Sequence, residues 1–349
     1  MALTSTSVSK AEKSYIQAGI LANPPSRSDG RSLHDFRAIA LETGVAPLAN
    51  GSARLNIGRN PHDGTGGTEV LAAVKLEVEN VEEGTGGVDG GRIICNVSCD
   101  VKDSSPSAYP NLSSGALDDL QHDYTDVINQ TLSHPSLHPS NLGILPRKKS
   151  WLLSLDIVIL ADAGNVYDAL FMAARAALWD TKVPRTRSIE YKAKKSVTTA
   201  KNASGGAGDM DVDEDTSSGF DTRKIAGAID FELPDYWDEG EVLEGRDRWP
   251  VCVSMNMVLP THFLDASPQE EASTSIRVLL MFSFLSPNQT TLQGMRMSGP
   301  GEIKLSGLKE LIEEGEKYAK EIYSALTSKL KDEDIRRNQK ARDRFVNRI

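Results

Sequence analysis

Twice along this chain, residues that alternate apolar and polar give way to residues that are apolar every third or fourth position. An alternating run buries one face of a strand, and a 3.6-residue repeat buries one stripe of a helix. A chain that switches twice, strands first and helices last, is constrained to an α+β fold of two similar halves.

In the first half, Val74, Leu76 and Val78 alternate with Lys75, Glu77 and Glu79, and stretches 51–58 and 91–101 behave alike. Leu117, Leu120, Tyr124, Val127, Ile128 and Leu132 then trace one helical face, closed by Pro135 and Pro139. A strand over 151–160 turns at Ala163-Gly164-Asn165 into a helix over 166–179. Asn165 suits the N-cap, with Asp168 three residues on. In the second half, Val251, Val253, Met255, Met257 and Leu259 alternate along a strand. Strands over 273–285 and 290–297 pair across Ser286-Pro287-Asn288, and a long helix runs from Leu308 to Leu330. A short helix over 10–21, stopped by Asn23-Pro24-Pro25, precedes both halves. The expected organisation is an N-terminal segment 1–26, a first half 27–191, an acidic disordered insert 192–222, a second half 223–331 and a basic tail 332–349.

Composition narrows the function. The net charge of −10 argues against a surface that grips nucleic acid throughout. Half of that charge sits in the five acids of Asp209 to Asp215, inside the expected insert. No run of 18 apolar residues exists, so no membrane partner is expected, and the polar start lacks an apolar signal core. Three cysteines fit a reducing compartment. Cys95 and Cys99 face the same way along a strand and read as small buried hydrophobes.

Few residues point to chemistry. Gly84-Thr85-Gly86-Gly87 leads into a strand rather than a helix, so it reads as a hairpin turn and not a phosphate loop. His134 and His138 have the spacing of a helical metal pair, but Pro135 lies between them, and neither metal nor cofactor is expected. The carboxylates Asp265, Glu270 and Glu271 follow a strand; they are either a general acid with its partner or, the reading favoured here, a solvated loop. The basic run Arg147, Lys148 and Lys149 is either a solvated loop or a contact for an RNA backbone. Between Lys102 and Arg147 there is no lysine or arginine, and five aspartates fall in that stretch.

Several segments together resemble the RNase PH family. Ser28-Asp29-Gly30-Arg31 with Asp35-Phe36-Arg37 resembles its opening motif. Gly51-Ser52-Ala53-Arg54, Gly58 and Thr68-Glu69-Val70-Leu71 resemble its first hairpin. The run from Asp156 to Gly164 resembles its central strand-to-helix turn, and Thr181-Lys182-Val183-Pro184 the close of its first half. The resemblance covers about 10–331 in unbroken order, and within the family it is to ring subunits of the eukaryotic RNA exosome. It implies that each half follows a β-α-β-α plan. It also implies partners: other RNase PH-like ring subunits including a catalytic-type paralogue, RNA-binding cap proteins, a hydrolytic nuclease docked on the ring, and RNA threading the pore. The implied compartments are nucleus, nucleolus and cytoplasm.

Active members of the family cut RNA from its 3′ end with inorganic phosphate, held at a helix N-terminus on a Gly-Thr-Arg turn. Here that turn reads Gly164, Asn165, Val166, without the hydroxyl and the arginine. The family's RNA-holding arginine pair falls at Asn111-Leu112-Ser113-Ser114-Gly115, where no cation stands. The position of the general acid falls at Glu271, a longer side chain than aspartate. The expectation is a structural subunit without catalytic residues. The alternatives are a phosphorolytic exoribonuclease that shares a composite site with a ring neighbour, and a soluble metabolic enzyme.

Overall fold

The computed structural model describes residues 7–60, 62, 66–81, 91–99, 108–189, 230–233, 240–286 and 289–346. The acidic insert, the Gly84 cluster and part of the Ser286-Pro287-Asn288 turn lie outside the described residues. Helix α1 (Lys10–Leu21) opens with a capping box: Ser9 N–H donates to Glu12 Oε2 at 2.8 Å, and Glu12 N–H donates back to Ser9 Oγ.

The first half is one sheet with two helices. Strands β1 (Ile39–Thr43), β2 (Gly51–Ile57), β3 (Thr68–Asn80) and β4 (Arg92–Ser98) are followed by α2 (Ser114–Leu132). Then come β5 (Gly143–Leu145), β6 (Lys149–Ala161) and α3 (Val166–Asp180). The order across the sheet is β1-β2-β3-β6-β4; β4 runs parallel to β6, and the other neighbours are antiparallel. Cys95 and Cys99 are buried in the core, as their spacing implies.

Two short ribbons bridge to the second half. Strand β7 (Lys182–Val183) pairs with β10 (Glu241–Val242), and β8 (Arg187–Ile189) with β9 (Asp230–Glu232). The second sheet has the order β12-β11-β13-β14, all antiparallel: β11 (Val251–Val258), β12 (Thr261–Phe263), β13 (Ile276–Ser286) and β14 (Gln289–Ser298). Between β12 and β13 sits α4 (Pro268–Ser273), and α5 (Leu305–Val346) closes the chain.

Three expectations are corrected here. The strand expected from residue 273 starts at Ile276, because 268–273 form α4, with proline at its first position and Glu270 accepting from Ser267 N–H at 2.8 Å. The basic tail continues α5 through Val346. It is held there by Arg337 paired with Asp180, and by Trp179 Nε1–H donating to Asp334 at 3.0 Å. Asn165 occupies the N-cap position of α3 but does not cap it: its backbone is left-handed (φ 60°), and its side chain turns to the second half.

Helix α3 joins the halves. Every residue from Val166 to Trp179 is buried. It packs on β2 and β3 with one side and on β11 with another. A helix with apolar residues on every side belongs inside, its Asp168 and Arg175 being buried with hydrogen-bond partners from the second half, and the alanines 169, 173, 174, 176 and 177 let both sheets come close. Strand β11 is buried on both faces, since α5 covers the side away from α3. The main core is therefore one cluster running from Leu41 to Leu330 across both halves, and a smaller one of Ile20, Val258, Phe263 and Ala266 lies under α1.

Candidate active site

The site forms where β6 hands over to α3. The turn needs left-handed backbone at Gly164 (φ 84°) and Asn165. Glycine is required at 164 for a second reason: a Cβ there would lie 2.3 Å from the Ala266 carbonyl oxygen. Thr68 Oγ1 donates to the Gly164 carbonyl at 2.5 Å and accepts from Ala163 N–H, while Asp162 Oδ1 accepts from Gly164 N–H. The turn is thus pressed rigidly against the segment that follows β12.

That segment carries the three carboxylates, and none of them is a solvated loop. Asp265 is fully buried. Its Oδ2 accepts from Arg31 Nη1, Arg37 Nε and the Arg37 backbone N–H at 2.7, 2.9 and 2.7 Å. Its Oδ1 accepts from Arg37 Nη2 and Asn165 Nδ2 at 2.7 and 3.1 Å. Burial alone would raise the Asp265 carboxyl, but the hydrogen bonds and charge of Arg37, then of Arg31, hold it below its usual range. Glu270 forms a buried bidentate pair with Arg27, at 2.9 and 2.6 Å. Residues 27–37 thus form a strap, with three arginines clamped onto the second half and Arg37 also donating to the Ala163 and Gly164 carbonyls.

Glu271, expected at the general-acid position, sits on α4 and meets different partners from Glu270. Its Oε1 accepts from Asn165 N–H at 2.8 Å, and its Oε2 pairs with Arg277 of β13 at 2.7 Å. Burial pushes this carboxyl above its usual value against the pull of Arg277. Beyond it opens a cleft of about 1130 Å³, bordered by Asp123, Tyr124, Asp162, Tyr167, Arg277 and Arg296. Arg296 pairs with Asp123, which also accepts from the Tyr167 hydroxyl at 2.6 Å. Both arginines of the cleft therefore have a carboxylate partner from this chain.

Of the residues expected at the site, Gly164, Asn165, Val166 and Glu271 come together. The others stand apart. Ser113 is the N-cap of α2. Arg147, Lys148 and Lys149 form the β5–β6 turn, at the opposite end of β6 and about 40 Å from its Ala161 end at strand rise. There Lys149 pairs with Asp230 at 3.3 Å and lies over the Phe231 ring, and Arg147 is exposed. Arg27, Arg277 and Arg296 were not singled out from the sequence. Arg277 alone left a signal, as a lone cation at the head of the apolar run Val278 to Phe282.

The fold and this turn define the class. Residues 35–184 match the model of the 3′ exoribonuclease family, domain 1. The chain as a whole has the fold of archaeal exosome core subunits. One such core covers 91% of this chain and 96% of its own at a TM-score of 0.59 and 20% identity. An Archaeoglobus fulgidus exosome with RNA bound to the active site gives 0.59 and 22%, covering 91% and 97%. The particular relatives are named Rrp42. The exosome complex component Rrp42 of Methanothermobacter thermautotrophicus is 32% identical over 165 residues, 47% of this chain. That match spans about half of the relative, 55% of its length. The putative exosome complex exonuclease RRP42 of Dictyostelium discoideum is 25% identical over 318 residues, 78% of this chain and 83% of that one.

Proposed function

We propose that this chain is a structural, non-catalytic ring subunit of an RNA exosome, supporting 3′-to-5′ RNA processing and degradation, including maturation of ribosomal RNA. One observation carries the absence of catalysis. Each arginine in the cleft is neutralised by a carboxylate of the same chain, and the Gly164-Asn165-Val166 turn adds no cation, which leaves Lys13 of α1 as the further cation at the cleft border. Phosphorolysis needs a bound phosphate dianion, and guanidinium groups already paired at hydrogen-bond distance offer it little. The ring partners are other RNase PH-like subunits, among them a catalytic-type paralogue. RNA-binding cap proteins, a docked hydrolytic nuclease and RNA in the pore complete the assembly, in nucleus, nucleolus and cytoplasm. The Arg147-Lys149 turn is a candidate contact for RNA backbone through Arg147.

The pure protein is expected to release no nucleoside diphosphate from a single-stranded RNA in inorganic phosphate; clear phosphate-dependent release would overturn the reading. Assembly has its own test. Leu292, Met295 and Met297 are exposed on the edge strand β14, and Leu305 is 84% exposed at the start of α5. An apolar edge of this kind is a liability for a lone chain. Co-expression with the catalytic-type paralogue should yield a stable pair whose unfolding midpoint exceeds that of this chain alone. Failure to co-purify would remove the ring-subunit reading.

The composite-site alternative is favoured by the size of the cleft. It requires that Arg296→Ala in this chain reduce phosphate-dependent RNA shortening by the pair, whereas a scaffold leaves that rate unchanged.

A further inference from the structure

The contacts of Glu271 are those of a bound anion. One oxygen takes the first free N–H of α3 and the other takes Arg277. The carboxylate is delivered there under tight control. Pro268 starts α4, Glu270 locks the helix to Arg27, and Glu271, next in sequence, is thereby placed against the start of α3 and Arg277. Its side chain is only 14% exposed, as is that of Arg277, and the cleft of about 1130 Å³ opens directly beside the pair. A carboxylate anchored through its own helix has paid its ordering cost on folding. A free anion must compete with it at an effective concentration set by covalent attachment.

We propose that Glu271 is a built-in ligand of this cleft: it holds the Asn165 N–H and the Arg277 guanidinium, and so excludes inorganic oxyanions from donors that could otherwise bind them. This rests on the non-catalytic reading and supplies its physical cause. Glu271 is then the residue that decides what the cleft accepts. The neighbouring Asp162 and Asp123 carboxylates do not replace it: Asp162 accepts from Gly164 N–H, and Asp123 is engaged by Arg296 and Tyr167.

The test is equilibrium dialysis of the full chain against radiolabelled inorganic phosphate, with thermal unfolding of each variant as a check on folding. Glu271→Ala should bind phosphate at least about tenfold more tightly than the unsubstituted protein, the size of one charge-assisted hydrogen bond regained. Adding Arg277→Met should remove that gain. A folded Glu271→Ala that binds no better, or an unsubstituted protein that already binds as tightly, overturns the inference. Should Glu271→Ala not fold, Glu271→Gln decides, because it keeps the shape and drops the charge. It should gain affinity by about threefold, about half of that same free energy, and equality with the unsubstituted protein overturns the proposal. RNA shortening by the unsubstituted protein would instead strike at the non-catalytic reading, so the two failures are distinguishable.

Discussion

Replacing Asp265 with alanine is expected to destabilise the protein by about 3–5 kcal/mol, the cost of breaking a buried ion pair from one side. Asp265 has no exposed surface, and it accepts from Arg31, Arg37 and Asn165 at once. Removing it leaves two largely covered guanidinium groups facing each other without their shared counter-ion. Alanine also tolerates the left-handed backbone at this position (φ 46°) less well than aspartate. Because the carboxyl is held below its usual value, its contribution is complete above the unfolded value of 3.8 and is lost as pH falls through the lower folded one. Chemical denaturation of both proteins between pH 7 and pH 2 should therefore show curves that converge in acid. A gap below 1 kcal/mol at pH 7, the range of an exposed pair, would show that the strap is not clamped as described.

Asp168→Asn should act in the opposite direction and stabilise the protein, by roughly 2–4 kcal/mol at pH 8. Asp168 is fully buried on α3; its Oδ1 accepts from Ser254 Oγ at 2.7 Å, and its Oδ2 has no partner. Burial, with the charge of Asp265 adding to it, pushes the carboxyl up to about 7 against the pull of Ser254 and Asn165. A folded chain that keeps this proton while the unfolded chain has lost it is weakened as pH rises from about 4 to about 7. Asparagine carries no such penalty. The advantage of the variant should therefore fade at pH 4, and an equal effect at pH 4 and pH 8 would refute the account.

The elements were largely legible because their periods are long and clean. Helix α2 shows its buried face as Leu120, Tyr124, Val127, Ile128 and Leu132, and β11 shows Val251, Val253, Met255 and Met257. What β11 did not reveal is that its other face is buried too. Ser254 and Asn256 read as solvent-facing, yet Ser254 points inward to meet Asp168. Helix α4 escaped notice because six residues are too few to set up a helical repeat. The site was half legible. Turn chemistry singled out Gly164 and Asn165 from neighbours in sequence, whereas the carboxylates looked like a surface loop. Their partners lie 228 and 243 residues away, and no spacing rule reaches so far.

That separation also sets an order of events during synthesis. The ribosome makes Arg27 early, and at about 5–20 residues per second Glu270 follows it only after about 12–50 s. Through that interval the strap has no groove to lie in, and the side of α3 that meets β11 has nothing to cover it. The first sheet can gather around its own helices while the chain is still growing. The joint between the halves is necessarily a late event, completed when almost the whole protein has left the exit tunnel. A chain that stops short of Asp265 is left with bare arginines at its beginning and an uncovered apolar helix in its middle, a product for quality control to remove rather than a smaller working domain.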